Sequence, residues 1–169
     1  SFGYEVFNEF HADITDIIIP VGNGSLLIGA VKAYEELIKL KKISKMPKMH
    51  CIQVEGFSPI VKKFNSSEWK FNEFSKTLAG GIAVSNPPRL NQVIESIRNS
   101  NGKAIEVSEA NILNWHKELA SWGFLSEITC AAALAGTEKL IESGVINEKS
   151  NIVFPITGSG LKDLDKVNF

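Results

Sequence analysis

Two glycine-rich segments carry most of the chemistry that can be read from the residues. Pro20-Val21-Gly22-Asn23-Gly24-Ser25-Leu26 joins an apolar run to a helical pattern. Glycines let a backbone turn tightly and approach an anion without a β-carbon in the way. The first amides of a helix lack internal partners and point outward, and the helix end carries roughly half a positive charge. Together they suit a phosphate dianion, to which the Ser25 hydroxyl could add a contact. A plain strand-to-helix turn satisfies the same spacing, so both readings stand at this level. A dinucleotide fingerprint fits less well, because Leu27 occupies the place of the third glycine and Glu55 lies too far along to hold a ribose. The second segment, Thr157-Gly158-Ser159-Gly160, follows another apolar run. A hydroxyl there can bond a ligand heteroatom without forcing a proton onto it, as a carboxylate would. A tight turn with Thr157 bonded to local backbone is the bland alternative.

The elements that must position these segments alternate between β-rich and helical runs. Ile17 to Val21 reads as a strand buried on both faces. Leu26, Leu27, Ala30, Val31, Tyr34, Leu37 and Ile38 then recur at helical spacing. Met49 to Glu55 reads as a strand and Pro59 to Phe64 as a short helix. Pro88 to Arg98 reads as a helix, and Ala104 to Val107 as a strand after the Asn101-Gly102 turn. Ser108 caps a helix whose inner face holds Ile112, Leu113, His116, Leu119 and Ala120. Cys130 to Ile141 is an alanine-rich helix stopped by Gly144, and Asn151 to Ile156 is a last strand. Strands separated by helices predict an α/β fold, a three-layer helix–sheet–helix with a mostly parallel sheet. In such sheets ligands sit beyond the carboxyl ends of the strands, where both glycine-rich segments fall.

Composition narrows the classes. The 169 residues are 44% hydrophobic and 22% charged, too apolar for disorder. Eighteen basic against nineteen acidic residues leave a net charge of −1, without the basic excess of a nucleic-acid binder. No apolar stretch approaches the length of a membrane span. Cys51 and Cys130 cannot make a disulfide framework, no Cys/His pair has zinc spacing, and a reducing cytoplasm is the expected compartment. The chain opens on Ser1, inside an amphipathic segment whose Phe2, Val6, Phe7 and Phe10 share one face and which no N-cap precedes. These two facts lead us to expect a single, incomplete domain spanning 1–169.

Five ordered segments resemble the threonine synthase family of pyridoxal-phosphate enzymes, of the tryptophan-synthase-β fold (fold type II). Asp16 to Leu26 looks like the family's phosphate loop, and Ile52 to Val61 like its second strand and following turn. Thr77 to Ile82, followed by Pro87, is similar to an internal family segment. Glu127 to Gly136 resembles its alanine-rich helix start, and Thr157 to Asp163 its ring-nitrogen turn. Ile128, Cys130 and Ser159 stand where the family often has Pro, Ser and His. The resemblance covers nearly the whole chain.

It implies that this is the C-terminal portion of such an enzyme's large domain. Gly22, Asn23, Gly24, Ser25 and Leu26 would bind the phosphate of pyridoxal 5′-phosphate through backbone amides, and Thr157 would bond its pyridine nitrogen. Asn23 would also face a phosphorylated amino-acid substrate, O-phosphohomoserine, which family members convert with water to threonine and phosphate. The family's Schiff-base lysine belongs to an N-terminal region with no counterpart here, so no catalytic residue is assigned and the chain alone is expected to be inactive. Lys162, beside the second turn, reads as a surface or structural lysine. The missing part would cover apolar surface, so Phe2, Phe7 and Phe10 are expected to lie exposed or to be buried by another copy, with self-association as the result. A homo-oligomer without metal, nucleic acid or membrane is expected. Threonine dehydratase, cysteate synthase, a non-catalytic phosphate-binding module and a nucleotide-binding domain are the competing readings.

The remaining candidates read as structure. His116, on an apolar helix face, is a core histidine; Cys51 and Cys130 pack; Trp69, Trp115 and Trp122 lack interleaved basic residues. Asp163 and Glu127 show no carboxylate partner at acid/base spacing.

Overall fold

The computed structural model describes residues 2–162. Asp163, the last residue of the second motif, lies outside that range. Four strands form one sheet: β1 (Asp16–Pro20), β2 (Lys48–Val54), β3 (Ala104–Val107) and β4 (Ile152–Val153). Their order is β3-β2-β1-β4 and every pairing is parallel. The helices are α1 (Phe2–Phe10), α2 (Ser25–Lys39), α3 (Pro59–Phe64), α4 (Leu90–Asn99), α5 (Glu109–Ser121) and α6 (Ile128–Glu142), with short 3₁₀ turns at Gly80–Ile82 and Gly160–Lys162.

The run Ile17-Ile18-Ile19 is fully buried because both faces of the sheet are covered. Ile17, Ile19, Met49 and Cys51 face α1 to α4, while Ile18, Ile52, Val54 and Val107 face α5 and α6. The connections leaving β1 and β2 therefore lie on one face, and the return from β3 to β4 lies on the other. That reversal sets β1 and β4 side by side at the point where such sheets hold ligands.

Helix α6 is buried almost throughout because it lies between the sheet and α5. Its small residues allow close approach: a β-carbon on Gly136 would stand 2.3 Å from Cδ1 of Ile52. Gly144, at φ +71°, ends the segment in the left-handed conformation. The Ser108 hydroxyl caps α5 by accepting from the Asn111 amide at 3.3 Å.

Three expectations are corrected. The helix expected from Pro88 begins at Leu90, because a residue before proline avoids the α region and Pro87-Pro88 first forms a turn that accepts the Leu90 amide. The last strand pairs only over Ile152 and Val153, since Pro155 has no amide to donate. Phe2 and Phe7 are half-buried against α2 rather than exposed; a β-carbon on Gly3 would lie 2.8 Å from that of Ala33, which measures how closely α1 sits on α2. Phe10 alone of the three is exposed, at 46%.

Candidate active site

The first glycine-rich turn leaves the carboxyl end of β1. Gly24, at φ +88°, holds a conformation that favours glycine, and the first bond of α2 runs from the Ile28 amide to its carbonyl. The amides before Ile28 are thus without intrahelical partners. Gly22 and Gly24 are buried, whereas the side chains of Asn23 and Ser25 are exposed and Leu26 is half-buried. Gly22 lies against the 3₁₀ turn: a β-carbon there would stand 2.7 Å from the Gly81 carbonyl oxygen. Gln53 braces the same turn from within β2. Fully buried, it donates from Nε2 to the Val21 carbonyl at 3.2 Å and accepts the Ile60 and Val61 amides at 2.9 and 3.2 Å.

The second turn leaves the carboxyl end of the neighbouring strand. Ile17 pairs with Val153, so Gly22 and Gly158 each lie five residues beyond one paired rung. Thr157 is exposed, and Gly158 at φ +68° passes so close to Glu127 that a β-carbon would stand 2.5 Å from its carboxyl carbon. The turn is tied to the α5–α6 connection by an antiparallel bridge between Ser126 and Ser159 and by the Gly160 amide donating to Leu125 at 3.0 Å. His116 supports that connection from the core, its Nε2 donating to the Ser126 carbonyl at 2.8 Å. Lys162 lies 3.9 Å from Glu127, exposed, as a surface lysine does.

The first turn of α6 reaches both segments. Thr129 Oγ1 accepts the Gly81 amide at 3.1 Å, and Gly81 is the residue that backs Gly22. Cys130, fully buried, donates its thiol to the Thr157 carbonyl and lies 3.6 Å from the Thr157 hydroxyl. Burial raises the Cys130 thiol above its ordinary acidity range, although its bonds to Thr157 pull the other way. The thiol therefore stays protonated and able to donate. Sequence reasoning treated Cys130 as packing alone and gave no role to Thr129 or Gln53. Only the motifs that contain them offered a signal.

The first turn presents unpartnered helix-end amides, which suit an anion, and the second presents an exposed, uncharged hydroxyl at Thr157. Among the described residues no group of three or more His, Cys, Asp or Glu is arranged to hold a metal ion.

The family model for pyridoxal-phosphate dependent enzymes matches residues 1–158. The chain belongs to this family. It is 34% identical to a threonine synthase of Methanosarcina acetivorans over 96% of its own length and 41% of the relative's. It is 31% identical to that of Methanocaldococcus jannaschii over 98% of its length and 42% of the relative's. The chain thus spans about two-fifths of the curated relatives it matches. Among solved structures, a fungal L-serine ammonia-lyase from Rhizomucor miehei superposes with a TM-score of 0.77 at 20% identity, over 98% of this chain and 53% of that one. Threonine deaminase isoform 2 from Solanum lycopersicum gives 0.74 at 21%, over 97% and 43%. The architecture is that of the fold type II pyridoxal-phosphate enzymes. Asn23 and Ser25 are exposed over buried glycines beyond β1, and Thr157 is exposed in the turn that follows β4.

Proposed function

We propose that this chain is the C-terminal portion, a single incomplete domain, of a threonine synthase that converts O-phosphohomoserine and water to threonine and phosphate. The observation that carries the proposal is the placement of two glycine-rich turns at the carboxyl ends of adjacent parallel strands, joined through the first turn of α6. The 31–34% identity to threonine synthases supports the choice of reaction within the family.

Pyridoxal 5′-phosphate, when bound, supplies the electron sink for carbanion chemistry at the substrate. The chain's own residues do the holding. Amides of Gly22, Asn23, Gly24, Ser25 and Leu26 take the cofactor phosphate, assisted by the helix end of α2. Each such bond to a charged group contributes on the order of 1.5–3 kcal/mol. The exposed Asn23 side chain also faces the phosphorylated substrate. The Thr157 hydroxyl donates to the pyridine nitrogen and, being neutral, leaves that nitrogen unprotonated.

The covalent lysine is assigned to the part of the relatives that this chain does not span. Lys162, exposed and 3.9 Å from Glu127, is read as a surface lysine in this proposal. The proposal includes a cytoplasmic, homo-oligomeric parent that acts on a small phosphorylated amino acid, with neither nucleic acid nor membrane as partner. Among the described residues no helix is long and apolar enough to cross a membrane.

The deciding assay gives the intact parent O-phosphohomoserine or threonine in parallel. Phosphate release with threonine formation from the first supports the proposal. Ammonia release from threonine alone would identify a dehydratase instead.

A further inference from the structure

We infer that Thr129 and Cys130, adjacent in the first turn of α6, are positioning residues that set the spacing between the two glycine-rich turns and so match the site to a phosphorylated pyridine. This rests on the assignment of Gly22–Leu26 to the phosphate and Thr157 to the ring nitrogen.

The two side chains divide the work. Thr129 Oγ1 holds the Gly81 amide at 3.1 Å, and the contact is so close that a β-carbon on Gly81 would stand 2.9 Å from that oxygen. Gly81 in turn backs Gly22 through its carbonyl. Cys130 holds the Thr157 carbonyl by donating its thiol. Both residues are buried on a helix that packs against β1, β2 and β3, so neither anchor moves independently of the sheet.

The thiol also leaves the Thr157 hydroxyl free to serve a ligand. Its hydroxyl lies 3.6 Å from Cys130 Sγ, and sulfur is a weak acceptor. The hydroxyl proton therefore remains available to a ring nitrogen. The thiol proton is committed to the Thr157 carbonyl, which fixes the backbone that carries the hydroxyl.

The test measures two affinities by calorimetry, for inorganic phosphate and for 4′-deoxypyridoxine 5′-phosphate, which lacks the aldehyde and cannot attach to a lysine. Phosphate reads the first turn alone, and the ring compound reads both. We expect Cys130→Ala to weaken the ring compound roughly tenfold, the loss of about one hydrogen bond, while phosphate binding changes less than twofold. Thr129→Val should weaken both probes. Cys130→Ser and Thr129→Ser, which restore a donor and an acceptor, should recover most of each loss, and thermal unfolding identifies any variant that fails to fold. A general packing role would weaken both probes equally in Cys130→Ala and would overturn the inference. So would Cys130→Ala and Thr129→Val variants that bind both probes like the parent sequence. If the unaltered chain binds phosphate but not the ring compound, the assignment of Thr157 itself fails, and the inference with it.

Discussion

His50 donates its Nε2–H to Asp16 Oδ1 at 2.8 Å, inside the sheet and at the end opposite to the glycine-rich turns. The imidazole takes the Lys103 amide on Nδ1 at 3.2 Å, which places its proton on Nε2. Asp16 also accepts from Thr15 Oγ1 at 2.6 Å and lies 3.7 Å from Lys48. Burial by itself would raise the Asp16 carboxyl, but the bonds from His50 and Thr15 and the Lys48 charge outweigh it and hold the group below its ordinary value of 3.8.

A folded-state value below the unfolded one gives stability that is fully present above about pH 4 and lost as pH falls through the folded value. Denaturation midpoints measured down from pH 7 should therefore drop below pH 4. Asp16→Asn should abolish that part of the slope and cost roughly 1.5–3 kcal/mol at pH 7, the worth of a bond to a charged group. An unchanged acid slope in the variant would show that Asp16 is not its source.

The contact of α6 with the sheet leaves no room for a larger residue. Gly136→Ala should destabilise by about 1–3 kcal/mol through overpacking against Ile52, and Gly136→Val by more. Urea titration measures both. Equal stability of all three forms would mean that α6 stands farther from β2.

Substitutions in the first turn should separate backbone from side chain. Gly22→Ala forces a β-carbon toward the Gly81 carbonyl, a backbone atom that cannot rotate aside. It should lower both stability and phosphate affinity. Ser25→Ala, at an exposed position, should change stability by less than about 0.5 kcal/mol. Phosphate titration of the folded variants checks the difference.

Exposed apolar side chains near the second turn bear on association. Phe124, Leu125, Ile156 and Leu161 are 43–68% exposed around the bridge between Ser126 and Ser159. The chain should self-associate in solution, and Leu161→Lys with Phe124→Lys should reduce it. Light scattering that shows a monomer at high concentration before any substitution would contradict this.

Much of the architecture was legible because its signals are local. The apolar run at Ile17 and the helical spacing from Leu26 to Ile38 follow from burial on two faces or on one. The terminal strand was overestimated because Phe154 and Ile156 look β-like, whereas pairing depends on what β1 offers and on Pro155. The faces of Phe2 and Phe7 depend on a helix-to-helix contact through Gly3 and Ala33, thirty residues apart, that no window reveals. At the site, Gly22 to Leu26 and Thr157 stood out as turn chemistry. Gln53, Thr129 and Cys130 did not, since a buried polar residue in an apolar segment shows its purpose only when its distant partner is seen.

The central claim is that both turns grip one ligand. Amide resonances of the isotope-labelled chain, followed while 4′-deoxypyridoxine 5′-phosphate is added, test it most directly. Gly22 to Leu26 and Thr157 to Ser159 should shift together along one saturation curve. Shifts confined to one turn, or two turns saturating at different concentrations, would contradict it.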